Sequence, residues 1–290
     1  FYIFHIALRL LQYIIFFKYL KEIFKNYKIY TFLLIFCAFY NTISLEGDMA
    51  YDVLIVGAGP AGLFTAYELI TKNKNLKVCL VDQGKRAKNR VCPMKTTGKC
   101  VNCNPCGILS GYGGAGTFSD GKLNFIPKLG KSDLFKYMGE SDAYKLIDDT
   151  EEIFNKFGMD AEVYPKNMDK CEEIKKEVTL KGARLLVIKQ KHLGSDTLPE
   201  HIENFTKFLE DSGVEILENF DVEDITDLPN GSNKVTYTMN GKKGEVEAKF
   251  VVVAPGRTGA GWLQTLLDKH NIAYTSQSIE IGVRVEVRKE

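Results

Sequence analysis

The sequence predicts an α/β fold with a parallel sheet, and three observations carry that expectation. Tyr51–Val56 is a run of β-formers that meets a glycine-rich turn, Gly57-Ala58-Gly59-Pro60-Ala61-Gly62. A helical pattern follows at once (Leu63, Phe64, Ala66, Tyr67, Leu69, Ile70), and a second strand, Lys77–Val81, ends in Asp82. Far downstream, Val251–Val253 is a further buried strand closing on a small-residue turn, Ala254-Pro255-Gly256. Strand, helix and strand in that order make a βαβ unit on a Rossmann-like sheet.

The glycine spacing says what the unit can hold. In a G-x-G-x-x-G turn, Gly57 permits the tight bend, Gly59 lets backbone approach a pyrophosphate, and Gly62 lets the helix pack close to the strand. Pro60 and Ala61 are the small residues that open the helix, whose N-terminal N–H groups and dipole face the phosphates. Asp82 lies twenty residues past Gly62, where the pattern wants a carboxylate for a ribose hydroxyl. The bare motif is weak. Its setting, strand before and helix after, makes it a dinucleotide site rather than an ordinary glycine turn.

Length bounds the rest: 290 residues allow one to two domains. Apolar content of 45% and charge of 26% are those of an ordinary globular protein. A net charge of +1 gives no global field toward nucleic acid or an anionic membrane, so neither is expected as a partner.

Residues 1–48 depart from this composition. They hold no Met and no Pro, and 35 of the 48 are Phe, Ile, Tyr, Leu, Lys or Asn, types that share AT-rich codons. The expectation is a non-native or disordered leader ahead of a start at Met49. The competing expectation is a membrane anchor, since Tyr2–Leu20 is about the length of a spanning helix. That segment carries His5, Arg9, Gln12 and Lys18, which are costly at bilayer depth. No clear signal-cleavage site follows, and a cytoplasmic location is expected.

After Asp82 comes a basic loop, Lys85–Arg90, and then four cysteines, Cys92, Cys100, Cys103 and Cys106, spaced C-x7-C-x2-C-x2-C. Four thiols set among loop residues suit a Cys₄ zinc site or an iron–sulfur cluster. A ferredoxin run places its Cys-Pro pair last, whereas Cys92-Pro93 comes first here, so the match is partial. Reduced structural thiols, reversible disulfides and redox-active thiols remain open alternatives. The next stretch, Gly111–Leu123, holds Gly113, Gly114, Ala115, Gly116 and Ser119, a composition suited to backbone lying directly on a ligand. Tyr112, Phe118 and Leu123 are apolar anchors that a flexible linker would not carry.

The middle of the chain mixes helices and short strands. Ser141–Phe157 has helical apolar spacing with Gly158 as its stop, and Lys170–Leu180 is a more polar helix. A strand is expected at Ala183–Ile188, a surface histidine at His192, and an amphipathic helix at about Pro199–Leu209. Short strands at Val214–Leu217 and Asp221–Ile225 precede a hairpin, Val235–Met239 and Gly244–Phe250, turning at Asn240-Gly241. A helix around Trp262–Lys269 and a last alternating strand, Ile279–Val287, close the chain.

Together these residues resemble FAD flavoproteins of the glutathione-reductase structural class. More narrowly, they resemble the uncharacterised FAD-dependent dehydrogenase family of bacteria. The carriers are Val56–Gly62, Cys92-Pro93 with Cys100, Cys103 and Cys106, Gly113–Leu123, His192–Asp196 and Gly282–Glu286. The resemblance implies FAD, with pyrophosphate on Gly57–Gly62, adenosine ribose on Asp82, and the Gly113–Ser119 backbone near flavin and pyrophosphate. It further implies main-chain contact with adenine at Val222, and a closing turn at Ala254 and Gly256. Pro255 replaces the usual Thr there, removing a hydroxyl and an N–H. The closing Gly-Asp segment of that class has no counterpart after Gly256, so the expectation is a truncated chain that binds FAD weakly or not at all.

The implied division is a FAD-binding domain, 49–130 and 213–270, with a four-cysteine insert at 92–106. An α+β partial substrate or cap domain, 131–212 and 271–290, is inserted in it. The implied function is an FAD-dependent oxidoreductase with an iron–sulfur or zinc site beside the flavin. Its expected partners are an unknown small-molecule substrate and an electron-donor protein or NAD(P)H. No catalytic residue is identified. The alternatives are a flavin-dependent RNA-modifying enzyme, a non-catalytic flavin and thiol redox module, and an inactive fragment.

Overall fold

The computed structural model describes residues 50–276, apart from 131 and 195. The expected leader and the last alternating strand therefore lie outside the described residues. The central feature is a six-stranded mixed sheet. β1 (Tyr51–Val56) sits inside it, with β2 (Val78–Val81) on one side and β11 (Lys242–Val253) on the other, both parallel to it. β8 (Glu215–Leu217) extends the parallel part beyond β2. On the far side β11 turns into an antiparallel meander with β10 (Asn233–Met239) and β9 (Phe220–Asp227), giving the order β8-β2-β1-β11-β10-β9. β2 is buried along its whole length, which is why Val78–Val81 is an unbroken apolar run.

The two strands expected at Gly244–Phe250 and Val251–Val253 are one continuous strand. Its first half pairs with β10 and its second half with β1, changing partners at Ala248. The hairpin turns at Asn240-Gly241 as expected, with φ of 50° and 78°. Both residues lie in the left-handed region that this turn demands.

Helix α1 (Pro60–Lys72) covers one face of the sheet. The short α2 (Met94–Thr97) lies in the cysteine loop. Helices α3 (Glu140–Lys156), α4 (Met168–Leu180) and α5 (Leu198–Asp211) follow, and α6 (Ala260–Lys269) comes after β11. Helices α1, α3 and α5 meet through aromatic rings. Phe64 stands edge-on to Phe154 at 4.9 Å and to Phe205 at 5.5 Å, and Phe157 stacks on Phe205 at 4.1 Å. One apolar core therefore runs from the dinucleotide helix into the middle of the chain.

A second, three-stranded antiparallel sheet has the order β3 (Lys122–Phe125), β7 (Lys189–His192), β6 (Val163–Tyr164). A two-stranded ribbon, β4 (Lys128–Leu129) with β5 (Ser132–Asp133), follows β3. The strand expected at Ala183–Ile188 is displaced: those residues are irregular, and the strand is Lys189–His192. Pairing with β3 selects it, with Lys122 opposite His192 and Phe125 opposite Lys189. Behind this sheet the carboxylate of Glu151 on α3 takes Lys191 at 2.9 Å and also pairs with Lys189, while Lys191 donates to Asn155 at 2.6 Å. Lys191 and Glu151 are both buried. Burial works against the charged form of Glu151, but hydrogen bonds from Lys189 and Lys191 outweigh it and hold the carboxyl below its ordinary value.

Candidate functional site

The site is built at the carboxyl end of β1. Gly57 has φ of 101°, and a Cβ there would stand 2.2 Å from the Ala254 carbonyl oxygen, so the turn after β11 closes directly onto the turn after β1. The Ala254 amide donates to the Val56 carbonyl at 2.7 Å, which extends that contact as a hydrogen bond. At Gly62 a Cβ would fall 1.9 Å from the Gly57 carbonyl oxygen. The helix can start this close to the strand only without a side chain.

Helix α1 has Gly59 as its N-cap residue, Pro60 in its first turn and no side-chain cap. Its first helical hydrogen bond runs from the Leu63 amide to the Gly59 carbonyl at 3.0 Å. The amides of Ala61 and Gly62 precede that bond and remain available at the positive end of the helix. No acidic residue sits in the first turn to occupy them. Donors without acceptors and glycines without space for Cβ suit a pyrophosphate, so FAD fits this turn.

The second glycine segment is brought against the first. The Gly113 amide donates to the Ala58 carbonyl at 2.8 Å, and a Cβ on Gly114 would stand 3.2 Å from the Gly59 Cα. Gly114–Phe118 is a 3₁₀ turn that includes Ala115 and Gly116, and the Ser119 hydroxyl closes it by donating to the Gly116 carbonyl at 2.8 Å. Its far end meets the loop after β7. The Leu193 amide donates to the Gly121 carbonyl at 2.9 Å, and His192 Nε2 lies 2.9 Å from the Asp120 carbonyl. His192 is exposed, as expected, and this hydrogen bond holds it at the tail of the glycine segment.

Asp82 sits at the end of β2, and its carboxylate braces the turn from below. One oxygen accepts the Ala58 amide at 2.9 Å and the other the Gly84 amide at 2.8 Å. Burial pushes the Asp82 carboxyl up, opposed by the Gly84 and Ala58 amides and the Arg90 guanidinium. The Asp82 carbonyl accepts the Phe220 amide at 2.9 Å, which places the start of β9, and so Val222, beside the end of β2. Val222 is buried, paired with Tyr237. Gly256, with φ of 64°, has open space where a Cβ would be.

Sequence reasoning missed Arg90. Its buried guanidinium gathers four backbone carbonyls: Gly107 at 2.9 Å, Ile108 at 2.6 Å, Tyr112 at 2.9 Å and Gly114 at 2.9 Å. Its carbon lies 4.8 Å from the Phe118 ring centre. Desolvation lowers its pKa to about 10, against the pull of Asp82 and Cys106, so it stays charged at neutral pH. Tyr112 adds a second brace, its hydroxyl donating to the Leu80 carbonyl at 2.8 Å. Gln83, Ser110 and Thr258 form a further small polar cluster, with Gln83 donating to Ser110 at 3.2 Å and to Thr258 at 3.3 Å. No sequence signal marks Thr258.

The four loop cysteines are not brought together as the expected ligand set. All four are free, Cys100 and Cys103 are exposed, and among the described residues no three His, Cys, Asp or Glu side chains are placed to hold a metal ion. The loop's own local bonds set its path. The Cys92 carbonyl accepts the Lys95 amide at 3.1 Å, the Cys106 carbonyl accepts the Ser110 amide at 2.9 Å, and Cys100 Sγ donates to the Asn102 side-chain oxygen at 3.6 Å. Zinc and iron–sulfur therefore do not fit the arrangement of these thiols.

The profile of a family described as lycopene cyclase protein matches residues 52–97, the βαβ unit and the start of the cysteine loop. No curated protein matches the chain. Among solved structures, Thermovibrio ammonificans THI4 is 17% identical with a TM-score of 0.42, the match covering 85% of this chain and 72% of that one. A flavoprotein/dehydrogenase from Cytophaga hutchinsonii is 16% identical with a TM-score of 0.37, covering 75% and 41%. The 3-ketosteroid-delta4-(5alpha)-dehydrogenase from Rhodococcus jostii RHA1, in complex with 4-androstene-3,17-dione, is 14% identical with a TM-score of 0.40, covering 73% and 47%. The chain spans 32% to 47% of the length of the first three solved structures it matches. Among the described residues no helix is long and apolar enough to cross a membrane.

Proposed function

We propose that this chain is the dinucleotide-binding part of a cytoplasmic FAD-dependent oxidoreductase. The observation that carries the reading is the pair of glycine segments in contact at the end of β1, with the free amides of Ala61 and Gly62 beside them. FAD, when bound, supplies hydride or single-electron transfer, and the protein supplies binding and electrostatics. In this reading the Gly57–Gly62 backbone holds the pyrophosphate. Asp82 keeps the Ala58 amide oriented and uses its remaining lone pairs for a ribose hydroxyl. Gly113, Gly114, Ala115 and Gly116 present backbone near the flavin, with Ser119 fixing their turn. The main chain at Val222 meets adenine, and Ala254 with Gly256 closes the far side.

The same reading divides the chain into a FAD-binding domain (49–130 and 213–270) and a partial substrate domain (131–212 and 271–290). A flavoprotein of this kind reacts with a small-molecule substrate and with NAD(P)H or an electron-donor protein. Titration of the full chain with FAD, followed by flavin fluorescence, tests the reading. Saturable quenching with FAD and little with FMN, which lacks the adenosine and the second phosphate, is the expected result. A folded chain, verified by circular dichroism, that leaves FAD fluorescence unchanged refutes it.

A further inference from the structure

Between Asp82 and Asp120 the chain runs 37 residues without an acidic side chain, while holding Lys85, Arg86, Lys88, Arg90, Lys95 and Lys99. Three of these cations are committed to partners within the chain. Arg86 pairs with Glu203 at 2.7 Å and Glu210 at 2.8 Å, Lys88 with Glu203 at 3.0 Å, and Arg90 is buried on its carbonyls. Lys85, Lys95 and Lys99 are exposed and form no salt bridge with any described residue. The same stretch exposes apolar side chains: Val91 at 74%, Val101 at 53%, Met94 at 52% and Leu109 at 39%. Its base, through Lys85, Lys88 and Val91, walls an open recess of about 780 Å³ whose other side is Leu217–Asn219 and Met239-Asn240.

We propose that this loop face is the docking surface for an acidic redox-carrier protein. The acidity follows from the charge: three exposed lysines outside any salt bridge among the described residues, one of them (Lys95) 6.0 Å from the Phe118 ring centre, with no carboxylate in the stretch, attract an anionic partner and speed its encounter. The partner is a protein because the same stretch that carries the lysines also exposes Val91, Met94 and Val101, apolar side chains that a protein interface covers. An RNA surface would use exposed aromatic side chains for stacking. The two aromatics of this stretch are otherwise engaged, Tyr112 buried and Phe118 lying under Arg90. That the partner carries electrons rests on the oxidoreductase reading above; its acidity does not.

The test uses the full chain and a plant-type [2Fe–2S] ferredoxin as the acidic probe, with a basic cytochrome c as the charge-reversed control. Saturable binding of ferredoxin that weakens about tenfold in the variant K85E/K95E/K99E, with cytochrome c binding only that variant, is the expected result. Substituting Val91→Asp and Met94→Asp should weaken ferredoxin by a similar factor without altering FAD quenching. Failure of ferredoxin to bind, binding indifferent to the lysine reversals, or tighter binding of a short oligouridylate each overturns the proposal. FAD titration of the same variants is read separately, so loss of the docking face and loss of the flavin reading give different results.

Discussion

Arg90 offers the sharpest test of how the two glycine segments are held. Replacing it with Met keeps the length and apolar stem of the side chain while removing all its donors. Four backbone carbonyls, spread from Gly107 to Gly114, then lose their partner, and Asp82 loses the nearby countercharge. Removing one side of a buried, hydrogen-bonded charge is worth about 4 kcal/mol, because the groups left behind stay desolvated. With a urea slope of about 2 kcal/mol/M, the unfolding midpoint of R90M should fall by about 2 M. R90K keeps the charge, but its single ammonium has three donors and cannot reach four carbonyls that the planar guanidinium spans. It should recover about half the loss. Urea denaturation of the three proteins decides the matter. An R90M midpoint within about 0.5 M of the parent would mean that Arg90 holds nothing in place.

Three further outcomes are expected. G62A places a Cβ against the Gly57 carbonyl and should destabilise by about 3 kcal/mol and abolish FAD quenching, whereas G98A, which meets nothing, should cost about 1 kcal/mol and leave quenching intact. D82N keeps one acceptor but turns an amide donor toward a backbone N–H. FAD affinity measured by fluorescence should fall at least about tenfold, and an unchanged affinity would remove Asp82 from the site. E151Q leaves Lys191 buried without its countercharge and should cost about 3 kcal/mol near neutral pH by urea denaturation. The Glu151 carboxyl is held below its unfolded value, so its contribution is full above that value and is lost as pH falls through the folded one. The parent should therefore lose stability in acid more steeply than E151Q, and parallel acid limbs would contradict the pairing.

The βαβ unit was legible because its constraints are local. Gly62 is demanded by a contact within one turn, with the Gly57 carbonyl, Gly57 takes the positive φ that the turn needs, and the adjacent strands are buried enough to be continuous apolar runs. The Asn240-Gly241 hairpin was legible for the same reason, since both residues must take positive φ. Strand β7 was not, because tertiary pairing overrode local preference. Lys189–His192 has the composition of a solvated surface, and pairing with β3 and β6, together with the carboxylate of Glu151, makes it a strand. The apolar Ala183–Ile188, with higher β-propensity, lacks such a partner and stays irregular. The cysteine spacing suggested ligands, but the local turns that Pro93, Asn102 and Cys106 support carry the thiols along an exposed loop.

Arg90 was illegible for a different reason. Its partners are backbone carbonyls 17 to 24 residues away, and carbonyls have no residue identity to read. Yet the candidate site depends on it as much as on the glycines. Glycine-rich backbone has no side chains to fix its orientation, and loses more conformational freedom on ordering than any other. Opposite charges solve this on the two segments in opposite ways. Asp82 takes an amide of the first turn, while Arg90 takes carbonyls of the second. The carbonyls of Tyr112 and Gly114, which would repel a phosphate, are bound to the guanidinium. The amides of Ala61 and Gly62, which would attract one, stay uncommitted. The buried pair therefore orders the backbone and leaves the surface around the turn richer in donors than in acceptors, as an anionic pyrophosphate requires.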